Sequence, residues 1–218
     1  MAEPAHDLLR LVMRYNLHPE LDLHPSWLPA DWPARHRQVA RLGVAGQAVL
    51  SDLLRRDGAA AGAARYSFDS RMSRLALIDG GSLRRLAAYT GLCAHQPLLR
   101  QRGVGTQLRR QARRFDADAA DFVIERMPHL SELRMNLSTL QQRPHGAGRV
   151  VFDRGYRLLL AALAGEDAAV VQRVQRKLPR RVAALSVPAL APRQATQLQE
   201  VLLQCLIPER LAAWDWLF

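Results

Sequence analysis

A proline- and tryptophan-rich segment, residues 17–33, constrains the fold of this chain more than any other part of its sequence. The segment reads LHPELDLHPSWLPADWP and contains four prolines. Proline lacks a backbone N–H and disfavours helix at the residue before it, so these prolines predict an extended or turning path. We call residues 17–33 the collar. Its apolar side chains are expected to hold it against a neighbouring surface, and they are Leu21, Leu23, Trp27, Leu28 and Trp32.

Helical periodicity dominates the rest of the chain. Apolar residues at i, i+3, i+4 and i+7 are typical of one buried helix face. Near the N-terminus this spacing is followed by Leu8, Leu11, Val12 and Tyr15. Similar patterns predict further helices at residues 34–56, 69–78, 82–91, 104–127, 152–164, 168–178 and 193–206. The sequence shows neither sustained strand alternation nor an internal repeat, so it predicts an all-α fold, an irregular multi-helix bundle of one or two helical subdomains.

Glycines and capping residues set the predicted limits of several helices. Gly43 and Gly46 weaken the helix over residues 34–56 and favour a bend or close packing there. Asp69 is a good N-cap for the next helix and Ser82 for the one after it, which Gly91 is suited to end.

A run of small residues, 57–65, is the visible boundary in the chain. It separates residues 1–57, which hold the N-terminal helix, the collar and the first long helix, from the main helical bundle at residues 66–218. We expect both parts to share one core.

The net charge of +11 raises the question of nucleic-acid binding. A predicted helix carries Arg109, Arg110, Arg113 and Arg114, and a glycine turn precedes it. A basic helical DNA- or RNA-binding regulator is therefore the alternative function. Against it, the same predicted helix continues into four acids that would repel a phosphate backbone, namely Asp116, Asp118, Asp121 and Glu125.

The basic residues are scattered along the whole chain. Of the 31 basic residues Lys177 is the only lysine, which indicates a compositional bias toward arginine. A binding surface selects charge locally, whereas a bias spreads it. The sequence therefore favours a solvated basic surface that can meet an acidic protein or anionic lipid headgroups.

The sequence contains no pattern typical of catalysis or of metal or cofactor binding. None of the seven histidines, His145 among them, lies in an HExxH motif or at zinc spacing from a cysteine. Cys93 and Cys205 are expected to be small buried hydrophobes in a reducing compartment. Asp118 and its neighbouring acids are interpreted as ion-pair partners on a solvated helix, with Arg114 four residues before Asp118. We expect no enzyme activity, no metal and no cofactor.

No run of about 18 apolar residues occurs in the chain, so the sequence predicts no integral membrane segment. The acidic N-terminus is unlike a secretory signal, and we expect a cytoplasmic protein.

Three segments occur in an order that resembles one protein family. They are the collar, RLALIDGGSLRRLAAYTGL at residues 74–92, and LLQCLIPERLAAWDWLF at residues 202–218. Together they resemble the SctK family, the K component of the type III secretion sorting platform. The resemblance implies an all-helical cytosolic adaptor without catalysis, peripheral to the inner membrane. Its implied partners are an SctD-like cytoplasmic domain of the inner-membrane ring and the pods of SctQ and SctL. No binding residue carries over individually.

Aromatic side chains and arginines are the candidate contacts with such partners. Exposed aromatic anchors dominate interfaces, although the same side chains can pack into their own core. The aromatic C-terminal segment, with Trp214, Trp216 and Phe218, leaves the same two alternatives open. We select as partner-binding candidates Trp27, Leu28, Trp32, Arg109, Arg110, Arg113 and Arg114.

Overall fold

The computed structural model describes residues 4–57, 64–133, 140 and 146–218, and every regular element in them is helical. In chain order the α-helices are α1 (Pro4–Leu17), α2 (Gly43–Arg56), α3 (Gly80–Ala94), α4 (Gln96–Leu99), α5 (Val104–Ala112), α6 (Ala119–Arg126), α7 (Ala147–Ala162), α8 (Ala168–Lys177), α9 (Arg180–Ala183), α10 (Pro192–Glu200) and α11 (Ile207–Arg210). Short 3-10 turns occupy Pro25–Trp27, Ala34–Arg37, Val39–Leu42, Ser73–Leu77 and Ala212–Leu217, and a π-helical stretch, Val201–Leu206, joins α10 to α11. The predicted all-α multi-helix fold is confirmed.

The chain forms two compact units. Unit 1 comprises Met1–Leu83, Leu163–Leu185 and Ala213–Phe218, and unit 2 comprises Arg84–Ala162 and Ser186–Ala212. The boundary predicted at residues 57–65 falls mostly outside the described residues and stays a prediction.

The predicted path of the collar is confirmed, since it contains turns and only one 3-10 element. Leu23 and Leu28 are buried beneath it, with 7% and 4% of their surfaces exposed. Leu21 is 46% exposed, so the prediction that it holds the collar down was wrong. It lies instead in a groove beside α1.

Two helices predicted between residues 34 and 78 are much shorter than expected. Residues before Gly43 form two separate 3-10 turns, and α2 begins only at Gly43, whose φ of +67° is a conformation that other residues rarely adopt. The helix expected from Asp69 is reduced to the 3-10 turn Ser73–Leu77. The side chain of Asp69 accepts a hydrogen bond from the Ser67 hydroxyl and does not cap a helix.

The limits of α3 also differ from the prediction. Its N-terminal cap is Asp79, whose carboxylate accepts the N–H groups of Gly81 at 2.7 Å and Ser82 at 3.0 Å. The helix continues through Gly91 to Ala94. Gly91 does not end it because this glycine serves a packing role in unit 2.

Gly91 on α3 and Gly155 on α7 allow two helix backbones to approach closely. A Cβ added to Gly91 would lie 3.3 Å from the Cα of Gly155 and would overlap the carbonyl oxygen of Val151. A Cβ added to Gly155 would overlap the carbonyl oxygen of Ala87 and lie 2.8 Å from the nitrogen of Gly91. Unit 2 is therefore built on a helix crossing that only glycine permits.

The long helix predicted over residues 104–127 is broken into α5 and α6. At the break the ring of Phe115 packs edge-on against Tyr89, with ring centroids 5.4 Å apart, and against Phe152 at 5.6 Å. The carboxylate of Asp116 accepts hydrogen bonds from the Tyr89 hydroxyl and the Arg85 guanidinium. These tertiary contacts need a turn where the sequence pattern continues the helix, so the single helix was wrong.

A buried lysine connects three segments of unit 1. The Nζ of Lys177, at the C-terminus of α8, donates to the carbonyl oxygens of Ala76 at 2.8 Å and Ile78 at 2.6 Å. It lies 3.3 Å from the carboxylate of Asp22 in the collar, which also pairs with Arg14 of α1 at 2.8 Å. Lys177 is only 3% exposed, and this burial lowers the pKa of its ammonium group to about 8.

Replacing Lys177 should destabilise unit 1. In Lys177→Met the two carbonyl oxygens lose their buried donor and Asp22 loses one of its cations, so we expect a loss of about 3 kcal/mol in the free energy of unfolding. All four tryptophans, Trp27, Trp32, Trp214 and Trp216, lie in unit 1. Urea unfolding followed by tryptophan fluorescence therefore measures this unit. The exposed Arg41→Met is the matched control and should unfold like the wild type; equal midpoints for both variants would contradict the prediction.

Gly155→Ala should destabilise unit 2. The added methyl group meets the backbone of α3 and not a flexible side chain, so the cost should be about 1–3 kcal/mol despite the better helix propensity of alanine. Hydrogen–deuterium exchange of α3 and α7 measures it as faster opening. Gly146→Ala is the control because a Cβ there has no neighbour within 4 Å. Unchanged exchange in Gly155→Ala would mean that the two helices can separate at no cost.

Candidate functional site

The collar is fixed to α8 and α9 by directional bonds within unit 1. The indole Nε1 of Trp27 donates to the carbonyl oxygen of Leu178 at 2.9 Å, and the Arg180 guanidinium lies 5.9 Å from the centre of the Trp27 ring system. The backbone N–H of His24 donates to the carbonyl of Arg176 at 2.9 Å. Trp27 and Trp32 are half-buried, so each has part of its ring surface in contact with solvent. The collar is therefore bonded to α8 and α9, and the ring of Trp27 is held in place.

The C-terminal segment is also held in unit 1. The indole of Trp214 donates to the Ser82 hydroxyl at 3.0 Å, and Arg74 donates to the carbonyl of Leu217 at 2.8 Å. Leu217 is 2% exposed, whereas Trp216 is 43% exposed. The sequence left open whether these aromatic side chains pack against their own chain or remain exposed. Trp214 packs against its own chain, and Trp216 remains exposed to solvent.

The arginine cluster lies in unit 2, with Arg109 and Arg110 on α5 and Arg113 and Arg114 directly after it, and it contains two kinds of side chain. Arg109 is half-buried, and its guanidinium donates to the carbonyl of Leu99 and the hydroxyl of Thr106. Arg110, Arg113 and Arg114 are exposed and make no side-chain hydrogen bond or ion pair within the described residues. These three guanidinium groups form a cationic surface available for binding.

Asp118 and Asp116, two of the four acids that follow, lie close to a cation that the sequence analysis missed. Arg210 forms a two-pronged ion pair with Asp118, at 2.9 and 2.7 Å, and lies 3.7 Å from Asp116. Its guanidinium also stacks over the ring of Phe122, 3.7 Å from the ring centre. The predicted ion pairing of Asp118 is confirmed, but Arg114 was the wrong partner. Because Arg210 is 92 residues further along the chain, no local pattern indicates this contact.

Histidines and cysteines show no metal-binding arrangement in the described residues. No group of three or more His, Cys, Asp or Glu side chains between residues 4 and 218, gaps excepted, could hold a metal ion. His145 lies outside the described residues. Cys93 is buried as expected, and burial raises the pKa of its thiol, whereas Cys205 is partly exposed; both are free.

None of the described helices has the length and apolar content required to span a bilayer.

His95 is a fully buried histidine with a defined tautomer. Its Nδ1 donates to the carbonyl of Gly91 at 2.8 Å, and its Nε2 accepts a hydrogen bond from Arg154 at 2.8 Å. A carbonyl only accepts and a guanidinium only donates, so the neutral ring fits this site. Burial, together with the nearby Arg154 charge, lowers the pKa of His95 to about 4. His95 therefore joins α3 to α7 only as a neutral side chain.

The most prominent surface feature missed by sequence reasoning lies on α1. Val12 is buried as predicted, but Leu9, Met13 and Leu17 form a second apolar row, which is 59%, 42% and 45% exposed. The i, i+4, i+8 spacing of this row was readable from the sequence. The sequence interpretation assigned α1 a single apolar face and left these three residues out.

Unit 1 thus exposes aromatic and apolar side chains and unit 2 exposes cationic ones, and side chains of these kinds are typical of proteins that bind other proteins. Comparison with known families gives the particular one. The family "YOP proteins translocation protein K (YscK)" matches residues 12–211, and the chain belongs to this family. YscK is the SctK component of type III secretion, so the resemblance stated from the sequence is confirmed. No curated protein and no solved structure matches the chain.

Unit 2 should lose stability in acid through His95. The folded pKa of about 4 lies below the ordinary value of 6.5, so between these values the unfolded state binds more protons. The contribution of neutral His95 to the free energy of unfolding is fully present above pH 6.5. It falls as the pH drops toward 4, by about 2 kcal/mol between pH 7 and pH 5. Hydrogen exchange of α3 at both pH values, in wild type and His95→Gln, isolates this contribution. An equal pH dependence in both proteins would contradict it.

Proposed function

We propose that the chain is a non-enzymatic adaptor of the type III secretion sorting platform. It joins the cytoplasmic domain of an SctD-like inner-membrane ring protein to the pods formed by SctQ-like and SctL-like proteins, and it works in the cytoplasm at the periphery of the inner membrane. The observation that carries the proposal is the family match over residues 12–211, since YscK proteins are components of the secretion apparatus. An adaptor needs at least two binding surfaces, and both units offer candidates.

The electrostatic surface of the proposed adaptor is the exposed part of the arginine cluster in unit 2. Arg110, Arg113 and Arg114 are not neutralised by any described residue, so each retains a full charge for a partner. Arg109 would act from beneath, because its hydrogen bonds to Leu99 and Thr106 hold α5 in place. Contacts of this type accelerate encounter and set the salt dependence of binding more than the final affinity.

The aromatic surface is the collar in unit 1. Trp27 and Trp32 are both partly exposed, and the hydrogen bond of the Trp27 indole fixes that ring, so little side-chain entropy is lost when a partner covers it. Leu28, which is 4% exposed, would support these rings from below. We propose that this surface contacts the second partner through apolar area.

Removing the three exposed charges tests the adaptor. The variant Arg110→Gln, Arg113→Gln, Arg114→Gln should bind one purified partner about tenfold more weakly at low salt, since each exposed charge contact contributes roughly 0.5 kcal/mol. Its affinity should also depend less on salt than that of the wild type. Arg35→Gln, Arg41→Gln, Arg193→Gln removes the same charge from other exposed positions and is the control.

Binding is measured by titration calorimetry with the ring domain and the pod protein, after nuclease treatment. Equal weakening in both triple variants would mean that only net charge matters. Failure of the wild type to bind either protein, together with nucleic-acid binding that the first variant loses, would overturn the adaptor and favour the basic DNA- or RNA-binding regulator.

A further inference from the structure

The exposed apolar row of α1 is one wall of a groove in unit 1. The groove has a volume of about 490 Å³, and its apolar lining includes Met13 and Leu17 of α1, Leu21 of the collar and Trp216 near the C-terminus. Each of these four side chains is between 42% and 46% exposed. Large apolar side chains that are scattered singly over a surface need no explanation, but four around one groove mark a place where another molecule binds.

A basic row runs beside the apolar row. Each residue of the apolar row is followed directly in the sequence by a basic residue, so the two rows lie side by side along the helix. The basic residues are Arg10, Arg14 and His18. The basic row lines the same groove, in which Asp7 is the one carboxylate. Along this groove the surface is therefore apolar in the middle and mainly cationic at one edge.

The three basic side chains of this edge differ in the carboxylates that lie near them. Arg14 pairs with Asp22 at 2.8 Å, and His18 lies 3.3 Å from the carboxylate of Glu20. Arg10 is exposed and has no hydrogen bond or ion pair within the described part of the chain. The charge left for a partner is thus concentrated at Arg10, and its natural counterpart is a carboxylate.

We propose that the groove between α1, Leu21 and Trp216 binds an acidic amphipathic helix of another protein, with apolar side chains against Met13 and Leu17 and a carboxylate against Arg10. The spacing of the apolar row matches the i, i+4 spacing on one face of a helix, and a helix laid in an apolar groove is a recurrent mode of recognition. Met13 suits such a site because its flexible side chain adapts to the shape of the incoming residue. The inference deepens the proposed function and rests on it, since the helix would belong to one of the proteins that the adaptor joins.

Two other occupants fit the groove less well. In an antiparallel pair of α1 helices from two copies of the chain, the twofold axis would place both basic rows on the same side, where they repel and leave Arg10 without a counterion. A lipid surface would require an apolar face that projects outward. Here Leu21 of the collar and Trp216 line a groove together with α1, so the apolar side chains of α1 border a concave site.

Two variants of the full chain test the groove by different means. Met13→Glu places a charge in its apolar centre, and Arg10→Glu reverses its free cation. Arg10 is exposed and has no partner to lose among the described residues, so the second variant should fold like the wild type. Val44→Glu on α2 is the control, since Val44 is 88% exposed in the same unit and lies outside the groove. Far-ultraviolet circular dichroism and tryptophan fluorescence confirm folding of each variant.

The purified ring domain and the purified pod protein are the probes in titration calorimetry. We expect Met13→Glu to weaken binding of one of them by about tenfold or more, Arg10→Glu to weaken binding of the same protein by roughly threefold to tenfold, and Val44→Glu to leave both affinities unchanged. A photo-crosslinking residue at position 17 should then label a helical segment of that protein that carries Asp or Glu.

Several results would overturn the inference. If both probes bind the wild type and bind Met13→Glu and Arg10→Glu equally well, the groove is not a binding site while the adaptor function stands. If the two substitutions only dissociate a dimer in sedimentation, the occupant is a second copy. If they only abolish binding to vesicles that contain phosphatidylglycerol, it is a lipid surface. If the wild type binds neither probe, the proposed function itself fails, and this inference fails with it.

Discussion

The ammonium group of Lys177 is the interaction on which unit 1 depends. Desolvating a cation is expensive, and the chain offsets this cost with the carbonyl oxygens of Ala76 and Ile78 and the carboxylate of Asp22, which come from two segments far from α8. An arginine is a planar fork and does not replace a compact ammonium group at such a point. In a chain that otherwise uses arginine throughout, the one lysine stands where three segments converge on a small cation. Through Asp22, this cation also joins the collar to the buried part of unit 1.

Unit 2 is organised by a constraint of space together with a polar network. Gly91 and Gly155 bring α3 and α7 into backbone contact, and His95, one turn after Gly91, connects the same two helices through hydrogen bonds. The turn between α5 and α6 lets Asp116 reach Tyr89 and Arg85. Asp116 and Asp118 are paired with Arg85 and Arg210 of unit 2 itself, whereas Arg110, Arg113 and Arg114 have no ion-pair partner among the described residues. Packing and charge distribution thus have a common structural origin.

The parts of the fold that could be predicted depend on local chemistry. The collar's prolines prevent α-helix whatever surrounds them, and the apolar spacing that predicts α1 acts within one or two turns. The mistakes occur where distant residues override local preference. The helix over residues 104–127 breaks because Asp116 bonds to Tyr89, and α3 passes through Gly91 because α7 packs against it. In the candidate site, the sequence identified Arg110, Arg113 and Arg114 as a group, but only the structure distinguishes them from the hydrogen-bonded Arg109.

The sequence by itself determined the all-α class, the turning path of the collar and the family, because composition, periodicity and the order of motifs are properties of the chain alone. Tertiary structure decided which face of each helix meets water. It exposed Leu9, Met13 and Leu17, and it matched Arg210 with Asp118 across 92 residues. The apolar residues of a helix limit the surface that it can bury. The neighbouring elements that the fold packs against the helix determine how much of that surface is buried. The surplus on α1 is the surface at which we propose that a partner binds.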